Sequence, residues 1–271
     1  MMLERRHNAW TDLISFPLGN RLPRPRQQGL TMILDKGLGL RETRDLFNSA
    51  GQYVDLVKLG FGTTALYSSH TLEEKINLVR NYGADIYPGG TFLEVALVQN
   101  KLKQFLHLAQ EMGFTCIEIS DGTIHLPVEM RWKAITLAAE AGFKVLSEVG
   151  KKLEENLSVE KMLQLIEKDL HYGADKVILE GRESGVNVGL YDQQGNFRLD
   201  DLELLSSQLA DPEKILWEAP QKDQQLELIN RFGSNVNLGN IDPADVLALE
   251  ALRVGLRADT LKTALERKLL L

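Results

Sequence analysis

The chain has 271 residues, 44% hydrophobic and 25% charged, with a net charge of -7 at pH 7. That acidic balance excludes a general nucleic-acid binder, which needs a basic face, but leaves room for a local basic pocket holding a small anion. The single cysteine, Cys116, excludes an intrachain disulfide and reads as a small buried strand residue with no base beside it.

Residues 1–29 begin MMLERRHNAW, without the apolar core of a secretory signal, and carry three prolines, two of them in the charged stretch RLPRPRQQG. They read as an irregular N-terminal extension. No later run approaches the ~18 apolar residues that span a bilayer, so a cytoplasmic location without membrane attachment is expected.

From Leu30 the text becomes rhythmic. Short apolar, β-rich runs appear as LTMIL (30–34), VDLVKL (54–59), ADIYP (84–88), TCIEIS (115–120), FKVLSE (143–148), DKVILE (175–180), KILWEA (214–219) and VNLGN (236–240). Helical spacing fills the gaps: in 158–172, Met162, Leu163, Leu165, Ile166 and Leu170 share one stripe, with Ser158 as a cap. Gly83, Gly113, Gly142, Gly173 and Gly233 stand where left-handed helix ends belong. Eight such units, each about the ~30 residues of a βαβ unit, predict a single-domain α/β fold, the (β/α)8 TIM barrel, over residues 30–271.

A barrel strand turns alternate side chains toward the helices and the lumen, and the helix-facing set must be apolar. In TCIEIS, Ile117 and Ile119 face out, so Cys116, Glu118 and Ser120 face in. The same phase turns Lys58, Glu148, Glu180 and Glu218 inward near the ends of their strands. The carboxyl end of the strands is where active sites of this fold sit. Four carboxylates in one mouth repel unless cations neutralise them. Lys58 and Lys36 supply part of that charge, and Mg²⁺, which prefers hard oxygen ligands, is the natural remainder. The competing reading is an ion network that only holds the barrel closed.

The loops add basic groups. Lys151 and Lys152 follow Glu148, and Arg182 follows Glu180. A helix expected to begin near Asp242 and Pro243, after Gly239 and Asn240, offers backbone amides to a phosphate, with Arg253 and Arg257 beyond it.

Nine ordered motifs, LDKGL (34–38), VKLGFGT (57–63), YPGGT (87–91), EISDG (118–122), EVGKK (148–152), EGRESG (180–185), EAPQK (218–222), NLGNI (237–241) and GLRADT (255–260), together resemble phosphosulfolactate synthase from about residue 30 onward. The resemblance implies a cytoplasmic lyase that adds sulfite to phosphoenolpyruvate with Mg²⁺, giving (2R)-phospho-3-sulfolactate, a step toward coenzyme M or sulfolactate. It points to Lys151 as the acid, with Lys58 as the second candidate. Glu118, Glu148 and Glu180 are the metal-ligand candidates, with Asp121 in reserve. Lys36, Arg182, Gly239 and Asn240 are the candidates for binding substrate. A homo-oligomer binding only small molecules is expected. The alternatives are a non-catalytic, stress-associated barrel of the same family, or a barrel lyase acting on another phosphorylated carboxylic acid.

Overall fold

The computed structural model describes residues 9–150 and 157–266. Eight parallel strands form the wall: β1 (Thr31–Asp35), β2 (Leu56–Leu59), β3 (Asp85–Pro88), β4 (Cys116–Ile119), β5 (Lys144–Val149), β6 (Lys176–Leu179), β7 (Ile215–Glu218) and β8 (Asn237–Ile241). Their hydrogen-bonded order is β3-β2-β1-β8-β7-β6-β5-β4. The remaining seam, between β3 and β4, is drawn together by Thr115. Its amide donates to Ile86 O at 3.2 Å, and its Oγ1 accepts from Ile86 N at 3.0 Å. The eight-stranded, nearly closed TIM barrel expected from the repeating text is the architecture observed.

Helices cover the wall. After a short α1 (Ala9–Leu13) come α2 (Leu40–Ala50), α3 (Ser69–Asn81), α4 (Gly90–Val98), α5 (Leu102–Met112), α6 (Val128–Glu140), α7 (Val159–His171), α8 (Leu199–Gln208), α9 (Lys222–Phe232), α10 (Val246–Arg253) and α11 (Ala258–Glu266). The five glycines expected to end helices all have positive φ, from +74° to +112°. Ser158 caps α7, accepting from Lys161 N at 3.3 Å. Among the described residues no helix is long and apolar enough to cross a membrane.

The strand phase divides the core in two. Ile33, Val57, Ile86, Ile117, Val145, Val177, Ile215 and Leu238 are buried under the helices. Leu30, Met32, Leu56, Tyr87, Cys116, Leu146, Ile178 and Leu216 fill the lumen. Burial pushes the Cys116 thiol well up, so it serves as lumen packing rather than as a nucleophile. This apolar plug occupies the amino-terminal part of the lumen, and the charged residues of the same phase stand beyond it.

Between α1 and β1 the described chain holds no helix or strand, and residues 18–30 are bound to the amino-terminal end of the barrel. Leu18 N donates to Val254 O at 3.1 Å, Arg21 pairs with Glu250 at 2.9 Å, and Arg26 pairs with Asp55 at 3.0 Å. Arg253 belongs to this end too. The sequence suggested a place in an anion-binding rim. Instead its guanidinium is fully buried and donates to Ser234 O and Val236 O at 2.7 Å and to Leu30 O at 3.2 Å. α10 carries the chain back down the barrel before Arg253 is reached. Arg253→Met takes this donor from Ser234 O and Val236 O, while Leu30 O keeps its bond from Leu238 N, and is expected to lower the unfolding free energy by about 2–3 kcal/mol in urea titrations.

Candidate active site

Lys58, on β2, organises the mouth. Its Nζ lies 3.0 Å from Glu118 Oε2, 3.0 Å from Glu218 Oε1 and 3.6 Å from Glu148 Oε2, and all four residues are buried. Burial opposes the lysine's charge. Glu118, Glu218 and Glu148 outweigh it and hold the ammonium well above its ordinary range. Lys58 is therefore a fixed positive charge in this state.

Each glutamate is also fixed by its surroundings. Glu118 Oε1 accepts from Gly90 N at 2.7 Å. A Cβ on Gly90 would stand 2.6 Å from that oxygen and from Ser120 Oγ, which accounts for a glycine at the start of α4 in YPGGT. Glu218 Oε2 accepts from Gly181 N at 2.9 Å, so the side chain takes over where the β6–β7 ladder ends. Glu180 Oε1 accepts from Arg182 N at 2.8 Å. The carbonyl of Glu148 accepts from Arg131 Nη2 at 2.8 Å.

Glu148, Glu180 and Glu218 each offer an oxygen, and these oxygens lie within 4.8 Å of one another. Three buried carboxylates so placed form the hard-oxygen donor set that a cation such as Mg²⁺ takes. The grouping differs from the expected set in one member. Glu118 stands on the Lys58 side, with Gly90 against its Oε1, and Glu218 completes the trio. Its inward phase was legible, but its proximity to Glu148 and Glu180 was not.

The other expected site residues are distributed around this mouth. Lys36 is exposed just past the end of β1. Arg182 is half-buried with φ +55°, and its carbonyl accepts from Asn240 Nδ2 at 2.9 Å. Asn240 Oδ1 is buried without a hydrogen-bond partner among the described residues. Gly239 lines the lumen, where a Cβ would stand 2.6 Å from Met32 Cε. Lys151 and Lys152 lie outside the described residues. The helix expected to begin near Asp242 opens as a 3-10 turn, Pro243–Asp245, that runs directly into α10, and Asp242 Oδ1 already accepts from Ala244 N at 2.9 Å. One of the amides expected to face phosphate therefore already has a carboxylate partner.

One buried residue escaped the sequence reading. Arg131, in the first turn of α6, pairs with Asp169 of α7 and with Asp121 at 3.0 Å while holding the Glu148 carbonyl. A lone arginine at a helix start gives no signal of such a position.

A TIM barrel whose strand ends gather glutamates around a buried lysine defines the class of the protein: a barrel with an acidic mouth at the carboxyl ends of its strands. The sequence profile described as (2R)-phospho-3-sulfolactate synthase (ComA) matches residues 19–259. The chain is 43% identical over 244 residues to a phosphosulfolactate synthase of Methanothermobacter thermautotrophicus, covering 89% of this chain and 94% of the relative. It is 44% identical over 237 residues to that of Methanocaldococcus jannaschii, covering 86% and 94%. A more distant relative, the Arabidopsis thaliana protein HEAT-STRESS-ASSOCIATED 32, is 21% identical over 266 residues, covering 86% and 88%. Among solved structures, 3-hexulose-6-phosphate synthase from Salmonella typhimurium superposes with a TM-score of 0.53 at 14% identity, covering 88% and 99%, a likeness of fold. The chain belongs to the phosphosulfolactate synthase family, a family of enzymes.

Proposed function

We propose that the chain catalyses Mg²⁺-dependent addition of sulfite to phosphoenolpyruvate, giving (2R)-phospho-3-sulfolactate. The observation that carries this reading is the trio Glu148, Glu180 and Glu218 beside Lys58 at the carboxyl ends of the strands. The sulfur lone pair of sulfite forms the new bond to the methylene carbon, and the double-bond electrons move onto the substrate carboxylate as an enediolate. A proton then returns to the carbon that carries phosphate. Held by the three glutamates, Mg²⁺ would supply positive charge to the substrate carboxylate as electron density collects there.

The chain's own residues divide the remaining work. Lys58 keeps the carboxylates of the mouth together and offsets their charge. Lys36 and Arg182 contribute the cations that hold phosphate or sulfite, and Gly239 leaves space in the lumen where a side chain would intrude. Lys151, two residues past β5 in the sequence, is the proposed acid that delivers the proton to one face. The test is consumption of phosphoenolpyruvate by the purified chain with sulfite and Mg²⁺, followed by product analysis. Turnover that stops with a chelator and returns with Mg²⁺ is the expected result. No consumption with sulfite would favour the non-catalytic barrel, and turnover only with another nucleophile would favour a different lyase.

A further inference from the structure

Between β6 and α8 the chain from Gly185 to Arg198 forms a strap that the proposed chemistry leaves without a role. Tyr191 and Phe197 pair antiparallel across a turn in which Asp192 Oδ1 accepts from Gln194 N and Asn196 N, both at 2.9 Å. Val188, Leu190, Tyr191 and Phe197 are buried in the outer core, so the strap has its own apolar anchor. Gln224 of α9 pins both of its limbs, with Nε2 donating to Gly185 O and Gly195 O at 2.8 Å. Arg198 donates to the carbonyls of Tyr191 and Gly189.

The anchored strap presses on two of the three clustered glutamates. Tyr191 Oη donates to Glu218 O at 2.6 Å. Gly189, at φ +54°, packs so closely on the preceding strand end that a Cβ would stand 2.2 Å from Glu180 O. A Cβ on Gly181 would stand 2.5 Å from Glu218 O, so a second glycine lets the two strand ends approach. Tyr191 itself is buried and does not face the lumen, so it is placed to act on the backbone rather than on a substrate.

We infer that the strap is a positioning device for a divalent-cation site: Tyr191 and Gly189 fix the backbones of Glu218 and Glu180 and thereby set the spacing of their carboxylates. The inference rests on the metal reading given above. Its physical ground is that Mg²⁺-like ions demand near-ideal ligand geometry, and that ligand distances are held within about 0.2 Å in working sites. A strand end free to shift by a larger amount cannot hold that spacing unaided. Residues that orient metal ligands typically contribute about 10- to 100-fold in affinity.

The experiment titrates Mn²⁺ into the metal-stripped full chain and reads free and bound ion by electron paramagnetic resonance. Four proteins are compared: the unchanged chain, Tyr191→Phe, Gly189→Ala, and Val79→Ala as a control for lost stability in buried α3 packing on the far side of the barrel. The unchanged chain is expected to bind Mn²⁺, with Kd about 10-fold weaker in Tyr191→Phe, which removes one hydroxyl and keeps the ring. Gly189→Ala is expected to weaken it at least as much, and Val79→Ala to bind as the unchanged chain does despite a lowered Tm. Equal affinity in Tyr191→Phe, or equal weakening in Val79→Ala, overturns the positioning role alone. An unchanged chain that binds no Mn²⁺ overturns the metal reading and this inference with it.

Discussion

Lys58→Met is expected to lower both turnover and stability, and the stability loss is the more diagnostic. The substitution keeps most of the side chain's length and apolar stem but withdraws the ammonium from Glu118, Glu148 and Glu218. Removing one partner of a buried ionic cluster leaves uncompensated charge and costs about 3–5 kcal/mol. In the folded state burial, which opposes the charge, is outweighed by the three carboxylates, so the ammonium titrates well above its ordinary range. A folded-state value above the unfolded one means that the stabilisation is fully present below about pH 10.4 and is lost only as pH rises past it. The deficit of Lys58→Met is therefore complete at pH 7–8 and shrinks in strongly alkaline solution, as urea titrations at several pH values will show. Activity is expected to fall by about 10²–10³-fold, the scale of losing one preorganised charge at a reacting centre. A variant with unchanged stability at pH 7 would remove Lys58 from its proposed role.

Much of this site was legible because alternation along a strand is a local property. Once Ile117 and Ile119 must face helices, Glu118 must face the lumen, and the same reasoning placed Lys58, Glu148, Glu180 and Glu218 correctly. Depth along the barrel is a different matter, because it depends on pairing register between strands. Glu118 stands opposite Leu146 and Glu148 opposite Ile178, so each lies two residues deeper than the next glutamate, whereas Glu180 and Glu218 follow the paired residues Leu179 and Trp217 and stand level. Glu118 is thus the deepest of the four, an offset no single-strand pattern carries, and the trio gathers the outer three.

Two other misses share a cause. Arg253 was placed by its closeness in sequence to Gly239 and Asn240. An eight-residue helix at ~1.5 Å per residue moves the chain ~12 Å, and α10 spends that length returning to the amino-terminal end. Residues 18–30 lack any hydrophobic period, so the text gave no sign that Arg21 reaches Glu250, 229 positions away. The capping of the turn at Asp242 was available in principle, since an aspartate before proline is a strong N-terminal cap. That carboxylate satisfies one amide, Ala244 N, and places negative charge beside the others.

Glu180→Gln isolates the cation from the lysine. Of the clustered glutamates, Glu180 is the one that forms no ion pair with Lys58, so its replacement leaves the three contacts of the ammonium in place. Glutamine keeps an oxygen to accept from Arg182 N, as Glu180 Oε1 does at 2.8 Å, so the strand end retains its local bond. What is lost is one negative charge and one strong oxygen donor. Without metal, the replacement relieves repulsion among Glu148, Glu180 and Glu218, so stability is expected to change far less than in Lys58→Met. With Mg²⁺ and both substrates, kcat/KM is expected to fall by about 10²–10³-fold. Part of that loss should return as Mg²⁺ is raised, because a weakened site is filled by mass action. A split between the two measurements, stability held while metal-dependent turnover collapses, separates a cation site from an ion network that merely closes the barrel. If Glu180→Gln instead loses stability and keeps its Mg²⁺ response, the trio is structural and the metal belongs elsewhere.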